Sequence, residues 1–288
     1  MKLLPLTNDF VFKAVFSKHE DVLMNLLNSF PEFQKEKRIV SLKVLNPEIP
    51  KDRNTEKVIV LDIKAVDATG NKFLIEMQAS YQKFFSQRIL YYWAKLYSKS
   101  ISKGQKYSEL PRIYSFNFVN FEIFPKEEKF LWYFQISDKN KPEILLTDNL
   151  NIYIIELPKY IKTFHSSQSP LDDWVYLLKE ATKLKGEQMK TLKKKNPKIK
   201  KALDELKFVS HDKKSREYYE AWLKTERDYA ARTEYQLEKS KEEAIEQRNI
   251  EIAQTMLSKN LKPDFISEVT GLSIHQIKNL QKKNFTKK

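Results

Sequence analysis

The chain contains no cysteine and only four histidines. Without cysteine it can form neither disulfides nor thiolate metal sites, and it has no cysteine nucleophile. The histidines are His19, His165, His211 and His275. They lie too far apart in the sequence to predict a zinc cluster. Disulfide-stabilised folds and thiol enzymes are therefore excluded, and a zinc-cluster protein is disfavoured.

Long apolar segments are also missing. No run of about eighteen apolar residues occurs, so no transmembrane helix is predicted. The N-terminus lacks the apolar core of a signal peptide, and we therefore expect a cytoplasmic protein without membrane contact. A chain of 288 residues has enough material for a buried core, in one large domain or in two smaller ones.

Acidic residues are outnumbered, and the formal net charge is +14. Residues 183–216 hold 13 basic and 4 acidic residues, and the last fourteen residues hold five basic and none acidic. Clustered lysines are expected where a protein binds a phosphate-rich partner. Charge alone does not distinguish DNA from RNA or from an anionic membrane, and a solvated linker explains the first block nearly as well. The lysines considered for DNA binding are Lys193, Lys194, Lys195, Lys278 and Lys282.

Two short segments, 60–64 and 74–78, have the pattern of paired β-strands. Apolar residues dominate both and alternate with polar ones, as they do in half-buried strands. Residues 67–71 between them are turn formers, Asp-Ala-Thr-Gly-Asn. A β-hairpin is therefore predicted.

The polar residues of this hairpin form a candidate metal site. Side chains alternate faces along a strand, so Glu76 and Gln78 share one face, as do Asp62 and Lys64. Two carboxylates brought together repel each other unless a cation lies between them, and hard divalent ions prefer oxygen ligands. The pattern favours a magnesium site that activates water against a phosphodiester. An ordinary half-solvated hairpin is the alternative on spacing alone.

Asp62 followed by Glu76-Met77-Gln78 resembles the pattern of the PD-(D/E)XK nucleases. More narrowly, the chain is similar to the recombination-promoting nuclease and transposase family within that group. That similarity is carried by residues 6–16, by the surroundings of Asp62 and Glu76, and by residues 87–104. It covers roughly the first 125 residues well and the middle of the chain weakly. It implies a restriction-endonuclease-like α/β fold, in which helices flank a mixed β-sheet.

The resemblance also implies roles for the hairpin residues. Asp62 and Glu76 would hold Mg²⁺, or Mn²⁺ as a substitute, with the carbonyl of Met77 as a further ligand. Gln78 would orient water or phosphate. Many members of the wider group carry Lys at the position of Gln78, whereas the narrower family commonly carries Gln. Lys64 is the candidate for the missing positive charge, and an ordinary exposed strand lysine is the alternative.

Four further residues are expected to support the site. In the related folds a helix before the sheet often carries an acidic residue directed at the site, and Asp9 is the candidate here; service to the helix dipole is the alternative. A second helix is predicted from 84 to 103, ending at Gly104. On it, Gln87 and Tyr91 resemble the Gln-x-x-x-Tyr motif of nucleases related to bacterial recombination helicase-nucleases. Arg88 would meet a phosphate or an active-site carboxylate, while core packing is the alternative for the tyrosines.

The remaining patterns define the expected organisation. Residues 1–182 are predicted to form the nuclease-like domain, with further strands at 112–121, 130–137 and 152–157 and a helix at 170–184. A Lys-rich linker at 183–216 would join it to an all-helical region at 217–288. That region is predicted as a long charged helix followed by a bundle that resembles a helix-turn-helix. In the bundle, Ile274, Ile277 and Leu280 are expected to be buried, and dimerisation is the alternative to DNA binding.

Taken together, these patterns predict a magnesium-dependent DNA endonuclease that hydrolyses phosphodiester bonds with metal-activated water. The family resemblance adds a link to recombination or to a mobile element. A catalytically inactive DNA-binding protein on a nuclease fold is the alternative. Because double-strand cutting needs two sites, a homodimer is a further expectation.

Overall fold

The computed structural model describes residues 2–45, 63–162 and 168–285, without the side chains of Glu36 and of residues 283–285. The packing of the chain divides between Tyr219 and Glu220 into two compact units. The first unit contains the β-sheet and the candidate nuclease residues. The second is helical, and each unit is described by itself.

In the described part of the first unit, a six-stranded sheet forms the centre. Its strands are β1 (Leu42–Val44), β2 (Ile63–Asp67), β3 (Lys72–Gln78), β4 (Ile113–Val119), β5 (Leu131–Ser137) and β6 (Leu145–Glu156). They lie side by side in the order β1-β2-β3-β4-β6-β5. The central strands β3, β4 and β6 are parallel, whereas β1, β2 and β5 pair antiparallel with their neighbours. This mixed sheet confirms the predicted restriction-endonuclease-like α/β fold.

Helices cover both faces of the sheet. The helices of the first unit are α1 (Asp9–Phe16), α2 (Glu20–Leu27), α3 (Phe85–Ser98), α4 (Pro170–Glu180), α5 (Gly186–Lys195), α6 (Pro197–His211) and the start of α7 (Lys213–Ser258). The central strand β4 is buried along its whole length, so both of its faces are covered. Phe116 and Phe118 belong to the main core with α1, α2, α4, α5 and α6. Ile113 and Val119 belong to a second core with α3.

The predicted hairpin is confirmed for its described residues, since β2 and β3 pair antiparallel around a turn at 67–71, while residues 60–62 of the predicted first strand lie outside the described residues. Ile63 lies opposite Ile75 in the antiparallel pair of β2 and β3. Asp67 closes the turn, because its Oδ1 accepts hydrogen bonds from the backbone N–H groups of Thr69 and Asn71, each at 2.9 Å. Gly70 has a φ of +85°, a left-handed conformation that favours glycine. Asx chemistry and one glycine therefore determine this turn.

The largest differences in length between predicted and observed elements are in α3 and β6. Helix α3 ends at Ser98 instead of continuing to Lys103. The hydroxyls of Ser98 and Ser100 donate to the carbonyls of Lys95 and Leu96, so side chains satisfy the last turn and the helix stops early. Strand β6 begins at Leu145, seven residues before the predicted start at residue 152.

The Lys-rich block at 183–216, predicted as a linker, contains the helices α5 and α6. Leu192, Ile199 and Leu203 are fully buried in the main core of the first unit. Asn196 caps α6 by accepting a hydrogen bond from the N–H of Lys198 at 2.9 Å. The lysines of this block therefore lie on the outer faces of helices that are packed onto the core, because the apolar positions recur at helical spacing.

The second unit is a small helical bundle preceded by most of α7. Helices α8 (Pro263–Thr270) and α9 (Ile274–Phe285) are joined at Gly271, whose φ of +71° provides a left-handed C-cap. Its core is formed by Ala253, Ile266, Leu272 and Ile277, with Leu280 partly buried against it. Ile274 is 42% exposed, so the prediction that it is buried is wrong. Ile277 lies at the centre of the face that α9 buries, and Ile274 lies at its edge.

Helix α7 is the longest helix of the described residues, with 46 residues, and its side chains are exposed throughout residues 227–248. Among the described residues, none of the helices is both long enough and apolar enough to cross a membrane.

Candidate functional site

The candidate site lies where the central strand β3 ends. Phe73, Ile75 and Met77 point into the main core, so the alternation of the strand places Glu76 and Gln78 on the opposite face. Helix α3 packs over that face. The Glu76 side chain is 20% exposed, which leaves its carboxylate accessible at the edge of the sheet.

Arg88 of α3 connects the two polar residues of β3. Its Nη2 lies 2.9 Å from Oε1 of Glu76 and 2.6 Å from Oε1 of Gln78. Its Nη1 donates to Oε1 of Gln82 in the loop between β3 and α3. Charge-assisted hydrogen bonds of this kind are shorter and stronger than neutral ones. The guanidinium therefore donates hydrogen bonds to one carboxylate and to two side-chain amides.

The packing of α3 explains how Arg88 reaches the strand. Phe85, Ile89 and Trp93 form the buried stripe of the helix, at positions one helical turn apart. Arg88 precedes Ile89 and so lies at the margin of that stripe. Its guanidinium carbon is 4.9 Å from the centre of the Phe85 ring, and its Nε is buried without a hydrogen-bond partner among the described residues. The arginine is held by packing but retains one unused donor.

Gln78 is oriented by hydrogen bonds at both ends of its amide. Oε1 accepts from Arg88, while Nε2 donates to the carbonyl of Ser80 at 3.2 Å. Its backbone carbonyl accepts from the N–H of Asn120 at 3.0 Å, which continues the pairing of β3 with β4. The oxygen of Gln78 is thus directed toward Arg88. Ser80 and Gln82 were not predicted from the sequence, where their only signal is their position in the loop after the strand.

Lys64 is placed on the same face of the sheet as Glu76. It lies opposite Leu74 in the β2–β3 register, and Leu74, Glu76 and Gln78 share one face of β3. The side chain is partly buried. This position is compatible with the predicted role of Lys64, which is to supply positive charge to the site. The role itself stays a prediction.

Asp62 lies outside the described residues. It directly precedes Ile63, which is opposite Ile75, the residue before Glu76. Within the described ranges, no three side chains of His, Cys, Asp or Glu are grouped closely enough to hold a metal ion. The predicted ligand set of Asp62, Glu76 and the Met77 carbonyl therefore depends on a residue beyond those ranges.

Asp9 occupies the first turn of α1, where its Oδ1 accepts from the N–H of Phe10 at 2.8 Å. The preceding residue, Asn8, caps the helix by accepting a hydrogen bond from the N–H of Val11 at 3.0 Å. Phe12 of the same helix packs against Phe118 of β4 in the main core. Helix α1 therefore covers the face of the sheet opposite to Glu76, and a contribution of Asp9 to the site stays a prediction.

The predicted motif Gln87-x-x-x-Tyr91 lies on the outer surface of α3. Gln87 is exposed, and Tyr91 is 60% exposed, so core packing does not explain this tyrosine. Tyr92 is 38% exposed and lies next to it, with ring centres 5.6 Å apart. Both tyrosines therefore present ring surface to solvent one turn beyond Arg88.

Two of the lysines predicted to bind DNA are ion-paired within the protein. Lys193 Nζ lies 2.5 Å from Asp204, and Lys195 Nζ lies 3.3 Å from Asp173. Lys194 is exposed on α5 and Lys278 is exposed on α9. Lys282 is also exposed on α9. The ion pairs reduce the positive potential that the Lys-rich block offers to a partner.

Asp21 of α2 forms ion pairs with two lysines of the same block. Burial alone would raise the pKa of its carboxyl group. Hydrogen bonds from Lys198 at 2.7 Å and Lys201 at 2.8 Å outweigh that effect, and the pKa is lowered to about 2. These two lysines of α6 therefore stabilise the contact between α2 and α6.

The donor chemistry at the end of β3 fits a hard divalent cation. The carboxylate of Glu76, the amide oxygen of Gln78 and the backbone carbonyl of Met77 are all oxygen donors, the type that Mg²⁺ prefers. Arg88 disfavours a cation at this position, because its positive charge already compensates the negative charge of Glu76. A cation and the guanidinium would therefore compete for one carboxylate.

Comparison with known proteins gives one family. A family model described as PD-(D/E)XK nuclease family transposase matches residues 6–236. The match includes the whole sheet, helices α1 to α6 and part of α7. Neither the comparison with curated proteins nor that with solved structures gives a match.

Proposed function

Because this chain belongs to the PD-(D/E)XK nuclease family transposases, we propose that it is a metal-dependent DNA endonuclease that hydrolyses phosphodiester bonds. The observation that carries the proposal is the joining of Glu76 and Gln78 by Arg88 at the accessible end of a central strand. We further propose that it acts in recombination or in a mobile element, as the transposase family suggests.

Nucleases of this superfamily typically use divalent metal ions, and Mg²⁺ is the ion proposed here, with Mn²⁺ as a substitute. Glu76, Asp62 and the carbonyl of Met77 would hold it. A bound divalent ion would supply charge neutralisation for the phosphate and an activated water.

The chain's own residues have distinct parts in this proposal. Glu76 provides the negative charge that attracts the cation. Gln78, with both ends of its amide fixed, orients water or a phosphate oxygen. Arg88 provides a positive charge and a planar set of donors that match the oxygens of a phosphate. Since a phosphodiester gains negative charge as it is attacked, a guanidinium fixed beside it lowers the barrier.

A second candidate function is DNA binding without cleavage. The observation that favours it is the 2.9 Å ion pair between Arg88 and Glu76, which occupies the carboxylate needed for a metal ion. In that case Glu76 would only position the arginine for phosphate binding.

The test is cleavage of supercoiled plasmid with Mg²⁺ or Mn²⁺ at moderate salt. Wild type is expected to nick or linearise the plasmid, while EDTA and Glu76→Ala are each expected to abolish the activity. The matched control is Glu143→Ala, in the exposed connection before β6, at the opposite end of the parallel strands from Gln78. It is expected to cut as wild type does. Wild type that shifts the plasmid in a gel but never cuts it would establish the second candidate instead.

A further inference from the structure

The surroundings of α3 are unusual in charge. Between Glu76 and Glu109, thirty-two consecutive residues include no acid and six bases. The same segment is rich in aromatic residues, eight in all. A basic segment with aromatic side chains is typical of surfaces that bind nucleic acid, since cations attract phosphates and rings stack on bases.

These residues form one stripe along α3, which we call the α3 stripe. Its members recur at helical spacing and therefore share one side of the helix. They are Phe84, Arg88, Tyr91, Tyr92, Lys95 and Lys99. The stripe lies beside the buried face of Phe85, Ile89 and Trp93, and Arg88 is the member that contacts the candidate site.

The aromatic members of the α3 stripe are exposed rather than packed. Phe84 is 62% exposed and Tyr91 is 60% exposed. Each ring has a lysine near its face: Lys83 Nζ lies 5.1 Å from the centre of Phe84, and Lys95 Nζ lies 5.8 Å from the centre of Tyr91. Large exposed apolar surface in a group commonly marks an interaction site. Here each such surface is accompanied by positive charge.

The stripe leads away from the candidate site in a defined direction. Arg88 near the start of α3 contacts Glu76, and Ser100 just after its end accepts a hydrogen bond from Lys72 at 2.8 Å. Helix α3 therefore runs antiparallel to β3. From Phe84 to Lys99 the stripe extends over about 22 Å at 1.5 Å per residue. A polynucleotide on the stripe would pass directly over Arg88.

We propose that the α3 stripe binds single-stranded DNA and guides it to Glu76 and Gln78, an inference that rests on the proposed nuclease function. Unpaired bases offer free faces on which Tyr91, Tyr92 and Phe84 can stack, and stacking is tolerant of sequence. In a duplex those faces are already stacked on one another, so the rings would gain little. The lysines and Arg88 match the phosphates by charge. The substrate class is therefore DNA with an unpaired segment at the cleavage point.

The experiment measures binding separately from cleavage. Fluorescent single-stranded DNA and a duplex of the same sequence are titrated with full-length protein in EDTA, and fluorescence anisotropy is recorded. The double variant Tyr91→Ala/Tyr92→Ala is expected to bind single strands about tenfold more weakly and the duplex unchanged. Tyr91→Phe/Tyr92→Phe keeps the rings and is expected to bind single strands as wild type does.

One control variant and one further test accompany this measurement. Tyr229→Ala/Tyr235→Ala removes two exposed tyrosines of α7 and is expected to leave both affinities unchanged. Lys95→Gln/Lys99→Gln is expected to reduce the salt dependence of single-strand binding by roughly 1.4 in the slope of log K against log salt. Circular dichroism of every variant shows whether it is folded.

The inference is overturned if the tyrosine double variant binds single strands as wild type does, or if it weakens single-strand and duplex binding equally. It is also overturned if sedimentation shows that the variant changes the oligomeric state, because the stripe would then be an interface between copies of this chain. Failure of the proposed nuclease function is separate: single-strand binding in EDTA that depends on the rings would persist, while plasmid and single strands stay uncut with metal.

Discussion

The guanidinium of Arg88 lies 2.9 Å from the carboxylate of Glu76, twelve residues earlier in the chain. The residue proposed to attract a divalent cation is therefore already paired with a cation of the protein. Binding of a metal ion at Glu76 would weaken this pair and make the guanidinium available to a phosphate. In the proposed mechanism, the pair would thus couple metal binding to phosphate binding at the same site.

Replacing Arg88 by methionine separates these two effects. We expect Arg88→Met to bind Mn²⁺ more tightly than wild type, since the competing positive charge is gone. Cleavage is expected to slow by about a hundredfold, because a donor to the developing negative charge is lost. Isothermal titration calorimetry and plasmid cleavage check the two halves.

The matched control for this variant is Arg112→Met, which removes an arginine at the opposite end of the sheet, where Arg112 pairs with Asp148. It is expected to change neither metal affinity nor cleavage. If Arg88→Met weakens both metal binding and cleavage, Arg88 only holds Glu76 in position, and the competition described above is absent.

Lys64 is expected to contribute positive charge to the site. Because it shares a face with Glu76 and Gln78, Lys64→Ala is expected to slow cleavage at least about tenfold, while Lys64→Arg retains most of the activity. Single-turnover cleavage rates give the measurement. Lys139→Ala, an exposed lysine between β5 and β6, is the control. Wild-type rates for Lys64→Ala would identify Lys64 as an ordinary strand lysine.

Phe30 is expected to be essential to the stability of the first unit. It is fully buried, and its ring centre lies 4.8 Å from that of Phe116 and 5.5 Å from that of Tyr153. Phe30→Ala is expected to lower the free energy of unfolding by about 3–5 kcal/mol, measured by urea denaturation. Phe30→Leu should lose less, because it fills more of the cavity. Phe208→Ala, 61% exposed, is the control, and a comparable loss there would contradict the argument.

The stability of the contact between α2 and α6 is expected to depend on pH through Asp21. Its pKa is about 2 in the folded protein, below the ordinary value of 3.8. The carboxylate therefore stabilises the fold above pH ~4, and this contribution is lost as the pH falls toward 2. We expect Asp21→Asn to melt at a lower temperature than wild type at neutral pH.

The difference in melting temperature should shrink as the pH is lowered from about 5 to about 3, because the unfolded chain, with an ordinary Asp pKa of 3.8, then takes up a proton while folded Asp21 stays charged. Asp228→Asn, at an exposed position of α7, is the control and should show no such trend. A difference that is independent of pH would show that Asp21 acts through its shape rather than its charge.

The elements that sequence patterns predicted correctly are those determined by neighbours in the chain. The β2–β3 turn depends on hydrogen bonds from Asp67 to residues two and four positions later. The cap of α1, between Asn8 and the residue three positions later, is a contact of the same local kind. Such contacts form over a few residues whatever the rest of the fold does, so composition and spacing are sufficient to predict them.

Other features were not predictable from local patterns. Lys198 and Lys201 pair with Asp21, more than 170 positions earlier, so a block that suggested a charged linker is instead helical and packed onto the core. Ile274 illustrates the same limit on a smaller scale. It has the apolar character of a core residue, but the rotation of α9 against its bundle buries Ile277, as predicted, and leaves Ile274 exposed. Packing, rather than residue type, decides which apolar side chains are covered.

The sequence by itself determined the strand that carries Glu76 and Gln78, the face that they share and the helix that carries Arg88. These follow from alternation along a strand and from helical spacing. Only the tertiary structure decided that Arg88 bridges the two strand residues and that Tyr91 is exposed. The reason is that both depend on how α3 docks on the sheet through Phe85, Ile89 and Trp93, a contact between elements that no local pattern specifies.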